Sequence, residues 1–422
     1  MFDKRIVNTL SDQPTRRSYQ SVRKPLRIAV VTETYPPEVN GVAMSISRIV
    51  NGLLALEQEV QLIRPRQSHA DCVTQRPGFT EVLTSGVAIP RYAQLKVGLP
   101  AFGCLKVLWQ QARPDIVHLA TEGPLGWSAL HLALRMRIPV VSEFRTNFHA
   151  YCQHYGIGWL QGTIQSYLRH FHNKTLRTMV PTASLAAELN VAGFKRLEVV
   201  ARGVDTRLFH PDRRSRSLRE SWGCDDSSLV VMHVGRLAPE KNLEVLRDAF
   251  RAMRAVNPGS RLVLVGDGPA RRQMSTSCPE AVFAGMRSGE DLASHYASAD
   301  ILLFPSITET YGNVTPEAMA SGVCVLAYNY AAAAELIRHG HSGWLAPFNN
   351  PGAFIDQAHQ AARHAKDARI LGSFARKTAE GLGWDNIVNL VQQHYRTAIA
   401  SVSHASPATS RTGYRVLETS PG

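Results

Sequence analysis

Two carboxylates, Glu309 and Glu317, stand eight positions apart in the run PSITETYGNVTPEAMASG. Glu309 falls in the loop after the apolar stretch ADILLFPS, and Glu317 in the first turn of a helix expected over 315–321. Carboxylates accept hydrogen bonds from vicinal hydroxyls, so the pair suits a ligand carrying a sugar and a ribose. Between them, Gly312, Asn313 and Val314 offer backbone N–H groups to phosphate oxygens where the helix begins. Alone, the spacing means little, because Glu317 reads equally well as a charge favoured by the helix dipole. Its weight comes from its neighbours. In VMHVGRLAPEKN, Arg236 follows a strand and Lys241 opens a helix expected over 241–256, giving a diphosphate both cations and helix-end amides. The turn VGDGP carries Gly266 and Gly268, which let backbone approach a ligand closely. The strand end Phe283, Ala284, Gly285, Met286 could edge a flat base, with Phe283 more simply read as core.

The elements that carry these loops alternate regularly. LRIAVVTETYPPEVNG followed by VAMSISRIVNGLLALEQ is a strand, a Pro/Gly/Asn-rich loop and a helix. The pattern recurs at EVQLIRP, at PDIVHLATEGPLGWSALHLALRMR, at IPVVSEFRTNF and at TMVPTASLAAELNVAG, and again from SLVVMHVGRL through RLVLVGDGP, AVFAG, ADILLFPS and VCVLAY. Continuous apolar strands alternating with helices indicate parallel sheets covered on both faces. We therefore expect an α/β chain of two Rossmann-like, doubly wound domains facing a cleft. The divisions are a flexible basic N-terminus (1–25), a first domain (26–200), a linker (201–228) in the charged stretch DTRLFHPDRRSRSLRESWGCDDSS, a second domain (229–383), a helix packing back on the first domain (384–400) and a disordered tail (401–422).

In the first domain, Asn40 and Gly41 close the first strand's loop, where Gly41 opens a helix and bare backbone can meet an anion. The alternative is a plain strand-to-helix turn. His118 ends the strand DIVHLA, a position more often structural than functional. EFRTNFHAY places Arg145 and Thr146 after another strand, with His149 four residues beyond Arg145. A guanidinium cannot serve as a general base at neutral pH, but it binds phosphate or carboxylate.

Composition limits the classes. With 422 residues, 44% of them hydrophobic, the chain holds two ordinary cores. Its apolar runs fall far short of the roughly 20 residues that span a bilayer, and the N-terminus lacks a signal-peptide core, so a cytosolic protein is expected. Six cysteines without a C-x-x-C pair suggest neither zinc nor disulfides, and are expected as reduced, buried small hydrophobes. The net charge of +13 is concentrated early, with 21 Lys/Arg against 12 Asp/Glu through residue 190 and 26 against 22 after it. That bias fits nucleic acid, an anionic membrane or anionic ligands, or merely a solubilising surface. No basic motif is interleaved with aromatics, which argues against nucleic acid. No G-x-G-x-x-G follows a strand, which argues against a dinucleotide oxidoreductase. No two Asp residues lie two apart, so a metal bridging a diphosphate is not expected, nor any cofactor beyond the nucleotide-diphosphate sugar as substrate.

Taken together, Arg236, Lys241, Glu309 and Glu317 in this order resemble the two-domain, GT-B type retaining glycosyltransferases of family 4, from about Leu26 to about Ala400. The resemblance implies that Glu309 contacts the donor sugar, Glu317 the ribose hydroxyls, Arg236 and Lys241 the diphosphate, and Asn40 and Gly41 the phosphates and acceptor. His118 matches a histidine found in many relatives at that point. Relatives commonly carry a His-Thr pair where this chain has Arg145-Thr146, so that histidine's role does not carry over, and Arg145 is expected to bind an anionic group of donor or acceptor. The segment IPRYAQLKVGLPAFGCLKVLWQQARPD resembles the branch that holds sulfoquinovosyl diacylglycerol synthase and GDP-mannose-dependent mannosyltransferases. The resemblance thus implies transfer of a hexose from a UDP- or GDP-sugar to a hydroxyl, with a membrane lipid such as diacylglycerol as the favoured acceptor. The stretch from His149 to Met179 could rest on anionic headgroups through Arg169, His170, Lys174 and Arg177, making the protein peripheral on the membrane's inner face. A soluble sugar or metabolite acceptor, or a nucleotide-sugar 2-epimerase, are the alternatives.

Overall fold

The computed structural model describes residues 24–38, 40–68, 70–89, 92–145 and 161–404. The expected flexible N-terminus and tail fall outside these, apart from Lys24, Pro25 and residues 401–404, as do Thr146 and His149.

The aliphatic runs form two mostly parallel sheets. The first is ordered Leu197–Val199, Arg177–Val180, Val140–Glu143, Ile116–Leu119, Arg27–Val31, Glu59–Pro65, Phe79–Thr84 and Gln75–Arg76, antiparallel only at the last pair. The second is parallel throughout, ordered Val282–Gly285, Arg261–Val265, Val230–Val234, Ile301–Phe304, Cys324–Tyr328 and Gly343–Ala346. Strands such as Ile28–Val31 and Val230–Met232 are fully buried because helices cover both faces, which is why they read as unbroken apolar runs. Each sheet has a core on either side. In the first, Ile28, Val30, Ile46 and Leu53 pack on one face and Ala29, Val31, Trp109 and Leu130 on the other. In the second, Val231, Leu246, Phe250 and Leu264 are opposed by Val230, Met232, Tyr296 and Met319.

Strand order reverses between Arg27–Val31 and Ile116–Leu119 in one sheet, and between Val230–Val234 and Ile301–Phe304 in the other. Open parallel sheets bind ligands beyond the carboxyl ends of strands at such reversals. The loops that start at Thr32 and Ala120 and those that start at Gly235 and Pro305 lie there.

The helix Trp384–His404 inserts Ile387, Val388, Val391, Tyr395 and Ala398 into the first sheet's core. It packs on the helix Gly41–Ala55 closely enough that a Cβ at Gly52 would stand 2.5 Å from Val388 Cγ2. The packing ties the end of the chain to the first half.

Several expectations need correcting. Glu59–Pro65 does not lead directly into a helix: Gln75–Arg76, Phe79–Thr84 and the hairpin Gly86–Ile89/Tyr92–Gly98 intervene before the helix Phe102–Gln111. The stretch 201–228 is no bare tether. It contains the helix Arg216–Ser221 and buries Arg219, which donates to the carbonyls of Asp225 and Ser298 at 2.8 Å each and to Asp300 Oδ2 at 3.1 Å. Bonded in this way, a charged side chain sits inside the fold. Of the five described cysteines, all free, Cys224, Cys278 and Cys324 are buried, but Cys72 and Cys104 are exposed. No helix among the described residues is long and apolar enough to cross a membrane.

Candidate active site

The strand Ile301–Phe304 delivers Pro305 and Ser306 to the cleft, and the chain then turns through Glu309 before the helix Val314–Ala320. Glu309 forms an ion pair with Lys241 and accepts a hydrogen bond from Ser306 Oγ at 2.7 Å. Lys241 Nζ also lies 3.4 Å from Ser306 Oγ and 5.5 Å from the Phe304 ring centroid. Tyr330 Oη donates to the Glu309 carbonyl at 2.9 Å, fixing the loop from outside. A half-buried lysine–carboxylate pair of this kind is a preformed polar clamp, able to exchange its mutual contact for sugar hydroxyls and phosphate oxygens. Lys241 sits in the short 3-10 turn Pro239–Lys241, and the α-helix begins only at Leu243, after Asn242 at φ 55°.

The amides of Gly312, Asn313 and Val314 donate to no group among the described residues. Glu317 accepts from Tyr296 Oη at 3.0 Å, and burial pushes its carboxyl up to about 7. Below the clamp, His233 is buried, with Nδ1 3.1 Å from the Leu303 carbonyl, and burial holds it down at about 4, neutral at physiological pH.

Other expected residues lie elsewhere or are already engaged. Arg236 is 63% exposed and 3.8 Å from Glu240, the residue before Lys241. Met286 lies at the surface, 74% exposed. Gly266, at φ 134°, is closely packed: a Cβ there would stand 1.9 Å from the Gly235 carbonyl, and one at Gly268 would stand 2.4 Å from the Leu237 carbonyl. These glycines let two loops pack together. Asn40 spends its side chain on structure, its Oδ1 capping the helix at Val42 N (3.0 Å) and Ala43 N (2.8 Å) while Nδ2 donates to Thr34 and Glu38. Gly41 does reach the cleft. A Cβ on it would lie 3.7 Å from Asn313 Nδ2 and 3.9 Å from Arg202 Nη1.

His118 is wholly buried in its strand, 2.7 Å from Tyr395 Oη through Nδ1. Its Nε2 is 3.1 Å from Glu143 Oε1, at ion-pair distance but off hydrogen-bond geometry. Glu143 also pairs with Arg145. Burial alone would raise the Glu143 carboxyl, but Arg145 and His118 outweigh it and hold it at about 2. Arg145, 8% exposed, keeps Nη1 without a hydrogen-bond partner. Sequence reasoning missed Arg202, whose Nη2 donates to the Arg145 carbonyl at 3.3 Å and whose guanidinium lies 5.9 Å from the Tyr311 ring centroid. The available signal was position, since Arg202 lies just past the end of the strand Leu197–Val199, where cleft residues are found. Of the four basic residues expected on a membrane face, Arg169 and His170 are exposed, Lys174 contacts His131, and Arg177 pairs with Glu198 within the fold.

A chamber of about 250 Å³ adjoins Glu309. Phe144, Ile164, Leu168, Leu185, Leu189 and Phe194 line it together with Gln165, Thr182, Ser184 and Glu188 from the first half, and Thr310, Asn329, Tyr330, Ala331 and Ala334 from the second.

Two doubly wound α/β halves with a Lys–Glu clamp and unspent amides at the second sheet's strand reversal define a sugar-transferring enzyme of GT-B type. The profile described as Glycosyltransferase Family 4 matches residues 39–208, and that described as Glycosyl transferases group 1 matches residues 228–364. The chain is 32% identical over 377 residues to a GDP-mannose-dependent alpha-mannosyltransferase of Mycobacterium tuberculosis, covering 88% of this chain and 96% of the relative. It is 29% identical to the sulfoquinovosyl transferase SQD2 of Arabidopsis thaliana, covering 90% and 75% respectively. The solved sucrose-phosphate synthase of Thermosynechococcus elongatus superposes with a TM-score of 0.71 at 18% identity, over 89% of this chain and all of that one. The chain belongs to glycosyltransferase family 4 and is a glycosyltransferase that uses a nucleotide sugar.

Proposed function

We propose that the enzyme transfers a hexose, in the first instance mannose from GDP-mannose, with retention of anomeric configuration, to a hydroxyl of a membrane lipid such as diacylglycerol. The carrying observation is the chamber beside Glu309, whose lining mixes apolar side chains such as Ile164 and Leu185 with polar ones such as Gln165, Ser184, Thr310 and Asn329. An acceptor with an acyl body and a hydroxylated head can use both the apolar and the polar parts of such a lining. The named relatives support the donor through their GDP-mannose dependence and the lipid class through an alpha-monoglucosyldiacylglycerol synthase, 24% identical.

In this reading the donor's C1–O bond to the β-phosphate breaks as the acceptor oxygen bonds to C1 from the same face. The acceptor's proton passes to a phosphate oxygen of the departing diphosphate. Lys241 and the free amides of residues 312–314 take up the charge that develops there, and Glu309 orients the sugar. The reading needs no metal ion.

The test is incubation with UDP- and GDP-sugars, with and without diacylglycerol-containing vesicles, followed by mass spectrometry and NMR of the anomeric proton. A lipid-linked α-mannoside is expected. Product formed only with soluble sugars would overturn the lipid acceptor, and a new nucleotide sugar formed without acceptor would indicate an epimerase instead.

A further inference from the structure

At the seam between the two halves, three cations around Arg202 stand against two carboxylates. Arg145, Arg202 and Lys241 face Glu143 and Glu309, and two of the three cations are paired, Arg145 with Glu143 and Lys241 with Glu309. Arg202 has no carboxylate at ion-pair distance among the described residues, and its guanidinium is held by a carbonyl and an aromatic ring. The site nonetheless strips it of water: burial, with Arg145 adding repulsion, pulls it down to about 10. Two further polar atoms near it are buried without hydrogen-bond partners, Arg145 Nη1 and Asn313 Oδ1. A cavity of about 20 Å³, lined by Glu143, Arg145, Arg202 and Trp384, lies at the same seam and is no larger than a water. An unbalanced, half-buried guanidinium is costly unless a ligand completes it.

The position of Arg202 narrows the ligand. Its Nη1 lies within 3.9 Å of where a Cβ on Gly41 would stand, a point also 3.7 Å from Asn313 Nδ2. Arg202 therefore stands where the first half's leading loop meets the loop that follows Glu309. Tyr311, from that second loop, donates to the Arg202 carbonyl at 3.4 Å, so the residue is held from the second half although it follows the first sheet.

We propose that Arg202 binds the β-phosphate of the nucleotide diphosphate and neutralises the charge that appears on it as the glycosidic bond breaks. This deepens the reading above and rests on a diphosphate lying in the cleft. The electrons of the C1–O bond go to the β-phosphate oxygen, which also receives the acceptor's proton, and Arg202 supplies a fixed positive charge without exchanging a proton.

The test compares nucleoside diphosphate with monophosphate on the full-length enzyme by calorimetry, with GDP and GMP, and UDP and UMP in parallel. Arg202→Gln should weaken diphosphate binding about 10- to 100-fold, the range for one charge-assisted hydrogen bond, and leave monophosphate binding within about twofold. Retained monophosphate binding also shows that the variant folds. Arg202→Lys should recover part of the loss and serves in its place if the Gln variant does not fold. Equal losses for diphosphate and monophosphate, or unchanged diphosphate binding with a raised KM for acceptor alone, would overturn the proposal. If the unmodified enzyme binds neither diphosphate, the nucleotide-sugar reading fails instead.

Discussion

Replacing Glu317 with Gln should remove a pH dependence from both stability and donor binding. The carboxyl sits beside Tyr296, and burial raises it from 4.5 to about 7. An unfolded chain releases that proton near 4.5, so between the two values the folded state holds a proton that the unfolded state has lost. The stabilisation is complete below about 4.5 and is lost as pH rises through 7. A gap of about 2.5 units corresponds to about 3 kcal/mol at most. Glu33 titrates in the same window, since burial, opposed by the backbone amides of Gly98, Leu125 and Gly126, also lifts it to about 7. Only the difference between wild type and Glu317→Gln isolates the residue. Urea unfolding at pH 5, 6, 7 and 8 should show the wild type losing up to about 3 kcal/mol relative to the variant across the series. Because ribose hydroxyls donate better to a carboxylate than to a carboxylic acid, nucleotide-sugar affinity should fall by up to about tenfold per unit below pH 7 in the wild type. In the variant it should be weaker and flat. A stability difference that stays constant from pH 5 to 8, or parallel affinity profiles, would refute the reasoning.

Lys241→Ala and Glu309→Gln should each lower kcat/KM at least about 10- to 100-fold, and the double variant should lose less than the product of the two, because either change disrupts the same clamp. Steady-state kinetics at saturating acceptor would show this, and independent effects would count against a shared role. Gly266→Ala should destabilise by about 2 kcal/mol or more, since φ of 134° and a 1.9 Å approach to the Gly235 carbonyl both oppose a Cβ; an unchanged melting temperature would contradict that packing. Tyr395→Phe strips a partner from buried His118 and should cost about 1–3 kcal/mol in denaturant unfolding. EDTA should leave turnover intact, and a loss restored by magnesium would contradict metal-free transfer.

What was legible in the sequence follows from how far each signal reaches along the chain. The parallel sheets showed through because strands buried on both faces must be aliphatic throughout. Glu309, Glu317 and residues 312–314 were legible because a strand end, a loop and a helix start are contiguous. The hairpin Gly86–Ile89/Tyr92–Gly98 was missed because its short strands carry no helical periodicity to break. Polar side chains were read least well, since their roles are set by partners the local pattern does not contain. His118 is held by Tyr395, 277 positions later. Asn40 meets the description of a phosphate-loop residue and of a helix cap equally, and only its bonds to Val42 and Ala43 decide between them.

Arg202 illustrates the same limit from the other side. A basic, aliphatic-poor stretch reads as a linker, yet Arg219 is buried within it and Arg214 reaches Asp300 at 3.0 Å. Its charges are spent on fastening the connection to the second half, whereas Arg202, at its head, is left without a counter-ion at the seam. A ligand anion that satisfies Arg202 would at once contact the loop at Gly41 from one half and the loop at Asn313 from the other. Binding energy from the donor would then favour the closed arrangement of the halves, which excludes water from the reacting carbon. On this argument donor hydrolysis, measured without acceptor, should rise relative to transfer in Arg202→Gln, because a looser seam admits water while the Lys241–Glu309 clamp remains. If the ratio of hydrolysis to transfer is unchanged, Arg202 acts on charge alone and closure is driven elsewhere.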